Sequence, residues 1–195
     1  AGQMAEAPHH RPPVHPVLYL KPANTWCGPA DPVHLPMGVD EVEVGATLGI
    51  AFARTASRVS EAQALSFVAG YCLVNDVTVP HTSLLRPPLK QKCRDGFCPV
   101  GPLVPAAQVG DPMQLVLRAG VDGAQTLQAP LATLRRSVAR LICDVSEFMS
   151  LAPGDLLLVG VPAQAPRARA GQTMWVEADG LGRLENPLTS DKGAA

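Results

Sequence analysis

Three stretches of the chain decide its fold: VDEVEVGATLGIAF (39–52), AGYCLVNDV (69–77) and KCRDGFCPVGP (92–102). The first alternates apolar and acidic residues and then becomes wholly apolar, which predicts a strand that runs from a polar pocket into the core. The second predicts another apolar strand that ends in a carboxamide and a carboxylate. The 20 prolines, 17 glycines and only 4% aromatic residues are typical of many short strands joined by turns. We therefore predict an α+β fold that is mostly β.

Local signals place further elements around these strands. Apolar residues at helical spacing predict one helix from Ser60 to about Tyr71 and a second across SVARLICDVSEFM (137–149). The residues VLYL (17–20) are a short strand candidate, and Asp-Gly pairs at 122–123 and 179–180 predict hairpin turns. Residues 1–16 hold closely spaced prolines and predict an irregular arm. The expected organisation is this arm followed by a single domain over residues 17–195.

Bulk properties exclude several classes of function. The 195 residues suffice for one core without disulfides, and a formal net charge of -1 offers no field for nucleic acid or an anionic membrane. The five cysteines are irregularly spaced, which fits a reducing compartment. No run approaches the roughly 20 apolar residues of a membrane span, and the start AGQMAEAPHH lacks the apolar centre of a signal peptide. We therefore expect a cytoplasmic protein that binds neither nucleic acid nor membrane.

Three carboxylates form the first candidate site. Glu41 and Glu43 are two residues apart on a predicted strand, so their side chains share one face. Asp76 ends the next apolar strand, where an unpaired carboxylate would be costly. Carboxylate oxygens suit hard divalent cations, and three ligands leave positions for substrate and water. Taken alone, a Glu-x-Glu pair is more often the solvated face of a strand, and an Asn-Asp pair can equally be a turn.

In their order and spacing, these segments resemble the signature of the fumarylacetoacetate hydrolase family: a Glu-x-Glu pair, an Asn-Asp-Val segment and a Lys-x-x-Asp segment. The resemblance implies that family's mixed β-sandwich roll with two or three short helices. It implies Mg²⁺, or Mn²⁺ or Ca²⁺, bound by Glu41, Glu43 and Asp76. It further implies that Lys92 neutralises charge on the substrate beside the metal and that Asp95 orients this lysine.

Cations near the predicted catalytic lysine are candidates for the remaining carboxylates of a di- or tricarboxylate substrate. Arg86 is the first of them, followed by Lys90 and Arg94, since an arginine can hold a carboxylate through two parallel bonds. A solvated basic loop is the alternative. The family's Gly-Thr-Pro substrate loop reads Gly160-Val161-Pro162 here, so the threonine hydroxyl is missing and the backbone amides of Gly160 and Val161 remain.

Further stretches resemble one branch of the family, the amino-terminal half of the bifunctional isomerase/decarboxylase of 4-hydroxyphenylacetate (homoprotocatechuate) catabolism. They are PVLYLKPANT (16–25), NDVTVP (75–80), RPPLKQKCRDGFCPVG (86–101) and LENP (184–187). The resemblance implies decarboxylation of 5-oxopent-3-ene-1,2,5-tricarboxylate, isomerisation of 2-hydroxyhepta-2,4-diene-1,7-dioate, or both. In either reaction a divalent cation at the 2-oxo acid end would draw electrons from the conjugated chain.

Two other functions stay open. One is a different reaction at the same cation site, either hydrolysis of an acylpyruvate or decarboxylation of oxaloacetate. Hydrolytic members of the family carry a His-x-x-Glu pair that activates water, and its absence from this chain disfavours hydrolysis. The chain could also be a catalytically silent partner of a homologous subunit, which the three retained carboxylates disfavour. Because relatives bring two copies of the fold together, we expect a homodimer or a hetero-assembly with a homologous subunit that helps cover the cation site.

Overall fold

The computed structural model describes residues 15–82 and 87–190. Short strands dominate these residues: β1 Trp26–Cys27, β2 Val33–Leu35, β3 Val42–Glu43, β4 Ala46–Phe52, β5 Val68–Asn75, β6 Cys98–Pro99, β7 Val104–Pro105, β8 Val116–Val121, β9 Ala124–Pro130, β10 Leu156–Leu158, β11 Arg167–Ala168, β12 Thr173–Ala178 and β13 Gly182–Ser190. The helices are α1 Leu89–Lys92, α2 Ala106–Val109 and α3 Val138–Ser146, together with 3-10 turns at Ala23–Thr25, Glu61–Phe67, Pro112–Gln114 and Leu131–Thr133. The prediction of a mostly β fold with a few short helices is confirmed.

The strands form two larger sheets and two short pairings. One sheet is antiparallel, with the order β10-β4-β5-β7. The other has the order β2-β13-β12-β8-β9 and is antiparallel except for β2, which runs parallel to β13. The short pairings are β1 with β6, in parallel, and β3 with β11, antiparallel. The β3–β11 pair lies at the point where the chain enters the four-stranded sheet, so it stands beside the start of β4.

Both sheets contribute to one apolar core. Ile50 of β4, Val176 of β12 and Leu184 of β13 are almost completely buried in the same cluster, and Ile142 covers it from α3. Each such side chain stabilises the fold by about 1.5–3 kcal/mol through removal of its surface from water. The core therefore fixes the strands whose ends carry the charged residues of the candidate site.

Locally encoded elements are confirmed. Ser137 caps α3, with its Oγ accepting a hydrogen bond of 3.0 Å from the Arg140 amide, although the helix ends at Ser146 rather than at 149. The 122–123 hairpin joins β8 to β9, with φ of 51° at Asp122 and 82° at Gly123. The second Asp-Gly pair lies in the three-residue connection between β12 and β13, where Gly180 has φ of 80°. Turn chemistry and capping act over a few residues, which is why the sequence alone predicts them.

Two predicted elements are wrong. The helix expected from Ser60 to Tyr71 is a 3-10 turn at Glu61–Phe67, after which the chain becomes β5. β5 pairs with β4 along its length, and this non-local pairing overrides the helical spacing of the apolar residues. The strand candidate at 17–20 lies outside any sheet, and its four residues are between 38% and 73% exposed. The arm expected at 1–16 lies outside the described residues except for His15 and Pro16.

A glycine allows the two strands of the site to approach each other. The strand predicted over 39–52 is interrupted between β3 and β4, and Gly45 lies in the interruption. The Asp76 amide donates to the Gly45 carbonyl at 2.8 Å, and the Gly45 amide donates to Asn75 Oδ1 at 2.9 Å. A Cβ atom at Gly45 would lie 2.2 Å from the Asp76 carbonyl oxygen, so only glycine fits this approach.

We predict that Gly45→Ala destabilises the protein by about 1–3 kcal/mol, because the added methyl group forces apart two backbones that cannot both relax. Urea unfolding followed by circular dichroism measures the change. Gly28→Ala is the matched control, since a Cβ there meets only the Asp31 side chain, at 3.2 Å. An equal loss of stability in both variants would contradict the close approach.

Candidate functional site

The centre of the site is a buried carboxylate with two ammonium partners. Asp76 follows β5, and its side chain has no solvent exposure (0%). Lys21 Nζ lies 2.8 Å from Oδ1 and Lys92 Nζ lies 2.8 Å from Oδ2, where the Tyr19 hydroxyl also donates. Burial raises the pKa of Asp76, but the positive charges of Lys21 and Lys92 outweigh it and hold the pKa below its usual range. The carboxylate is therefore ionised.

Lys21 ties three segments of the chain to this carboxylate. Its ammonium group donates to the main-chain carbonyls of Lys92 and Phe97, both at 2.7 Å, and to that of Val77 at 3.3 Å. Only 6% of its side chain is exposed. Its contact with Asp76 Oδ1 is an ion pair that lacks aligned hydrogen-bond geometry. Sequence reasoning missed Lys21 and Tyr19; the available signal was a lysine within the apolar stretch PVLYLKPANT.

Lys92 ends α1 and is buried, although its neighbours in the sequence suggested a solvated basic loop. Besides Asp76, its ammonium group donates to Thr78 Oγ1 at 2.7 Å and lies 4.5 Å from the centroid of the Tyr19 ring. Burial, followed by the nearby charge of Asp76, raises the pKa of Tyr19 far above its usual range, so the phenol keeps its proton. Lys92 and Tyr19 are thus proton-bearing groups held at one carboxylate.

Glu41 and Glu43 lie at the rim of the site. The main chain of Glu43 pairs with that of Thr78 through hydrogen bonds of 2.8 and 3.3 Å. The side chains of Glu43 and Thr78 therefore lie on the same face of this pairing. Arg167 Nη1 lies 2.6 Å from Glu41 Oε1, and Arg167 Nη2 lies 3.8 Å from Glu43 Oε1. Arg169 Nη2 reaches Glu41 Oε2 at 3.5 Å. The hydrogen bond from Arg167 lowers the pKa of Glu41.

The three predicted metal ligands therefore lie at or next to the ends of β3 and β5, but each side chain is turned to a cation of the protein itself. Within residues 15–82 and 87–190, no three His, Cys, Asp or Glu side chains converge closely enough to hold a metal ion. The donor set nevertheless fits a hard divalent cation in its chemistry and strand placement. Asp76 Oδ1, buried without a hydrogen bond, supports this fit.

The other predicted site residues are spread around this centre. Asp95 is exposed and accepts a hydrogen bond of 2.6 Å from Asn24, whereas the ammonium group of Lys92 contacts Asp76 and Thr78. Arg94 Nε donates to the Lys90 carbonyl at 2.7 Å. Arg86 lies outside the described residues.

The predicted substrate loop contributes Gly160 to a cavity beside the segment that carries Tyr19. Gly160 has φ of 99° and, with Tyr19 and Lys21, lines a cavity of about 330 Å³. Val161 is 37% exposed. Glu41, Glu43 and Asp76 do not line this cavity, although Tyr19 and Lys21, which do, both contact Asp76.

Known proteins are similar to this chain in sequence and in fold. The profile described as "Fumarylacetoacetate (FAA) hydrolase C-terminal" matches residues 1–189. The chain is 37% identical over 187 residues to the 4-hydroxyphenylacetate degradation bifunctional isomerase/decarboxylase of Escherichia coli, covering 96% of this chain and 43% of that protein. The chain belongs to the fumarylacetoacetate hydrolase family.

Two solved structures show the same fold. The 2-hydroxyhepta-2,4-diene-1,7-dioate isomerase from Mycobacterium marinum superposes with a TM-score of 0.81 at 33% identity, over 93% of this chain and 71% of that one. The fumarylpyruvate hydrolase from Pseudomonas aeruginosa, solved with Mn²⁺ and pyruvate, superposes with a TM-score of 0.80 at 28% identity. The superposition covers 89% of this chain and 78% of that one. Isomerases, decarboxylases and hydrolases thus occur among the relatives.

We predict that Lys21→Met destabilises the protein by about 3 kcal/mol in the absence of divalent cations. This is the lower end for breaking a buried ion pair, because Lys92 still neutralises Asp76. Urea unfolding in the presence of a chelator measures the loss. The control is Lys90→Met, a substitution at an exposed lysine of α1. Equal stability of the two variants would show that Lys21 adds nothing to the burial of Asp76.

Proposed function

We propose that the chain acts on a di- or tricarboxylate in 4-hydroxyphenylacetate catabolism. The reaction is decarboxylation of 5-oxopent-3-ene-1,2,5-tricarboxylate, isomerisation of 2-hydroxyhepta-2,4-diene-1,7-dioate, or both. The observation that carries the proposal is the buried Asp76 between Lys21 and Lys92, because two ammonium groups against one carboxylate leave a positive charge for an anionic substrate. The similarity to an isomerase/decarboxylase of this catabolism supports the choice of substrates.

We further propose that Glu41, Glu43 and Asp76 bind Mg²⁺ or Mn²⁺. The Mn²⁺ in the Pseudomonas aeruginosa relative supports this class of cation. When bound, such a cation polarises the carbonyl oxygen of a 2-oxo acid. The arginines that contact Glu41 and Glu43 would then be displaced from these glutamates by the cation.

The protein's own groups supply the remaining chemistry. Lys92, held by Asp76 and Thr78, neutralises the negative charge that develops on the substrate oxygen as electrons move along the conjugated chain. Isomerisation also needs a proton at the far end of the diene. The Tyr19 hydroxyl and the Lys92 ammonium group carry protons beside the same carboxylate. We also propose that Asp95 orients Lys92. Substrate binding is proposed for Arg86, Arg94, Gly160 and Val161.

A catalytically silent subunit is the second candidate. The observation in its favour is that each predicted metal ligand is already neutralised by a lysine or an arginine. In that case the carboxylates would stabilise the fold rather than hold a cation. Cation binding and turnover by the purified chain distinguish the two candidates.

We also propose that the protein works as a homodimer or with a homologous subunit in the cytoplasm. The chain spans 43% of the length of its Escherichia coli relative, which is named as bifunctional. Several apolar side chains near Lys21 are exposed, among them Val17 (60%) and Leu20 (73%), and would be covered by a neighbour. The five cysteines are free, which fits a reducing compartment. Among the described residues, none of the helices has the length and apolar character to cross a bilayer.

The cation site predicts a specific loss of affinity. Calorimetric titration of the chelator-treated protein with Mn²⁺ should show one site per chain, and Glu43→Ala should weaken binding about tenfold or more because one ligand is lost. Glu185→Ala is the control, since Glu185 is a surface carboxylate paired with Arg183 in the other sheet. Equal Mn²⁺ affinity in the wild type and Glu43→Ala would remove Glu43 from the site.

The catalytic role of Lys92 predicts a loss of turnover with little loss of cation binding. With Mn²⁺ and each of the two substrates, Lys92→Ala should lower kcat about 10²-fold or more, the usual cost of losing one stabilising contact in the transition state. Arg183→Ala, which removes a cation of the five-stranded sheet 2.6 Å from Glu185, should retain the wild-type rate. A wild-type chain that binds Mn²⁺ poorly and converts neither substrate would support the silent subunit instead.

A further inference from the structure

Two arginines converge on the rim carboxylates. Strand β11 pairs with β3 so that Arg167 lies opposite Glu43. Arg167 spans both glutamates through its two terminal nitrogens, at 2.6 Å from Glu41 and 3.8 Å from Glu43, and Arg169 reaches Glu41 at 3.5 Å. The side chains of the two arginines are 53% and 73% exposed. They therefore form a cationic edge that solvent and ligands can reach.

Stability does not account for this arrangement. Exposed ion pairs are worth little because water screens them, so two arginines on one carboxylate add hardly anything to the fold. A guanidinium group has five N–H donors in a planar fork that matches a carboxylate. Arg167 therefore keeps donor capacity beyond its contacts with the two glutamates.

The position of the arginines relative to Lys92 matches an extended substrate. Lys92 contacts Thr78, Thr78 pairs with Glu43, and Glu43 lies opposite Arg167. Two strand spacings of about 4.8 Å separate the backbone of Thr78 from that of Arg167, roughly 10 Å in all. This is comparable with the span of a seven-carbon dicarboxylate whose reacting end lies at Lys92.

We propose that Arg167 and Arg169 bind the distal carboxylate of the substrate and so determine specificity for di- and tricarboxylates. This inference rests on the proposed function. Before ligands bind, the arginines are neutralised by Glu41 and Glu43. A divalent cation that takes over those glutamates frees the guanidinium groups, which then bind the substrate's far end. The sequence candidate Arg94 is instead turned to the Lys90 carbonyl.

The experiment compares two stable probes by calorimetry, with and without Mn²⁺. They are 2-oxoadipate, which carries a distal carboxylate, and 2-oxohexanoate, which has the same chain length without it. The wild type should bind 2-oxoadipate about tenfold or more tightly than 2-oxohexanoate, as expected for hydrogen bonds to a charged group. The double variant Arg167→Gln/Arg169→Gln should lose this preference while its affinity for 2-oxohexanoate stays within about twofold.

Arg183→Gln is the matched control, because Arg183 is also a partly exposed arginine, 2.6 Å from a carboxylate on the surface of the five-stranded sheet. It should retain the wild-type preference, and circular dichroism checks that all variants are folded.

In Arg167→Gln alone, Mn²⁺ should bind more tightly than in the wild type, because a competitor for Glu41 is gone.

A double variant that keeps the wild-type preference overturns the proposal, as does a wild type that shows no preference or binds neither probe. The proposed function can fail separately. The wild type could prefer 2-oxoadipate through its arginines and yet convert neither the tricarboxylate nor the diene dicarboxylate named above. That result would support the distal carboxylate site and reject the proposed decarboxylation and isomerisation.

Discussion

The burial of the Asp76 carboxylate is the constraint on which the rest of the site depends. An isolated charge in the interior would cost many kcal/mol, so the fold must bring counter-charges to it. Lys21 comes from the segment before the first strand and Lys92 from the end of α1. Because both ammonium groups must reach one carboxylate, the Tyr19 segment has to cross the end of β5 and α1 has to stop beside it. Because the Lys21 ammonium group is itself buried, its N–H donors also need acceptors, and three main-chain carbonyls supply them.

The exposure of the carboxylates divides the site into two parts with different chemistry. The Asp76 side chain is fully buried, whereas those of Glu41 and Glu43 are 24% and 30% exposed. Breaking a buried pair leaves an uncompensated charge, but breaking a rim pair costs little since water replaces the partner. Ligand exchange is therefore easiest at the rim, where the arginines can leave the glutamates. The buried part provides a fixed charge arrangement to which a substrate must conform.

How far the sequence predicts this molecule depends on the range of each interaction. The Asp-Gly turns and the Ser137 cap are local, and the structure confirms them. The expected helix after Ser60 fails because pairing with β4, distant in sequence, decides the conformation of β5. The role of Lys21 could not be derived from its neighbours, since its acceptors come from three other segments. Similarly, Glu43 pairs with Thr78 just after Asp76, but the arginines that hold the glutamates come from β11 and the residue after it, far along the chain.

Formal charge connects the two parts of the site to the proposed chemistry. The three carboxylates face four cationic side chains, Lys21, Lys92, Arg167 and Arg169, which leaves one positive charge. A divalent cation would raise this excess to three, which a tricarboxylate neutralises completely. Loss of neutral carbon dioxide leaves a dienolate that still carries three negative charges. Uptake of one proton from solvent then gives the dicarboxylate and leaves one positive charge of the site uncompensated. Because these charges lie in and beside a poorly solvated interior, that imbalance weakens binding of the product relative to the substrate. Decarboxylation in this site would thus favour release of its own product.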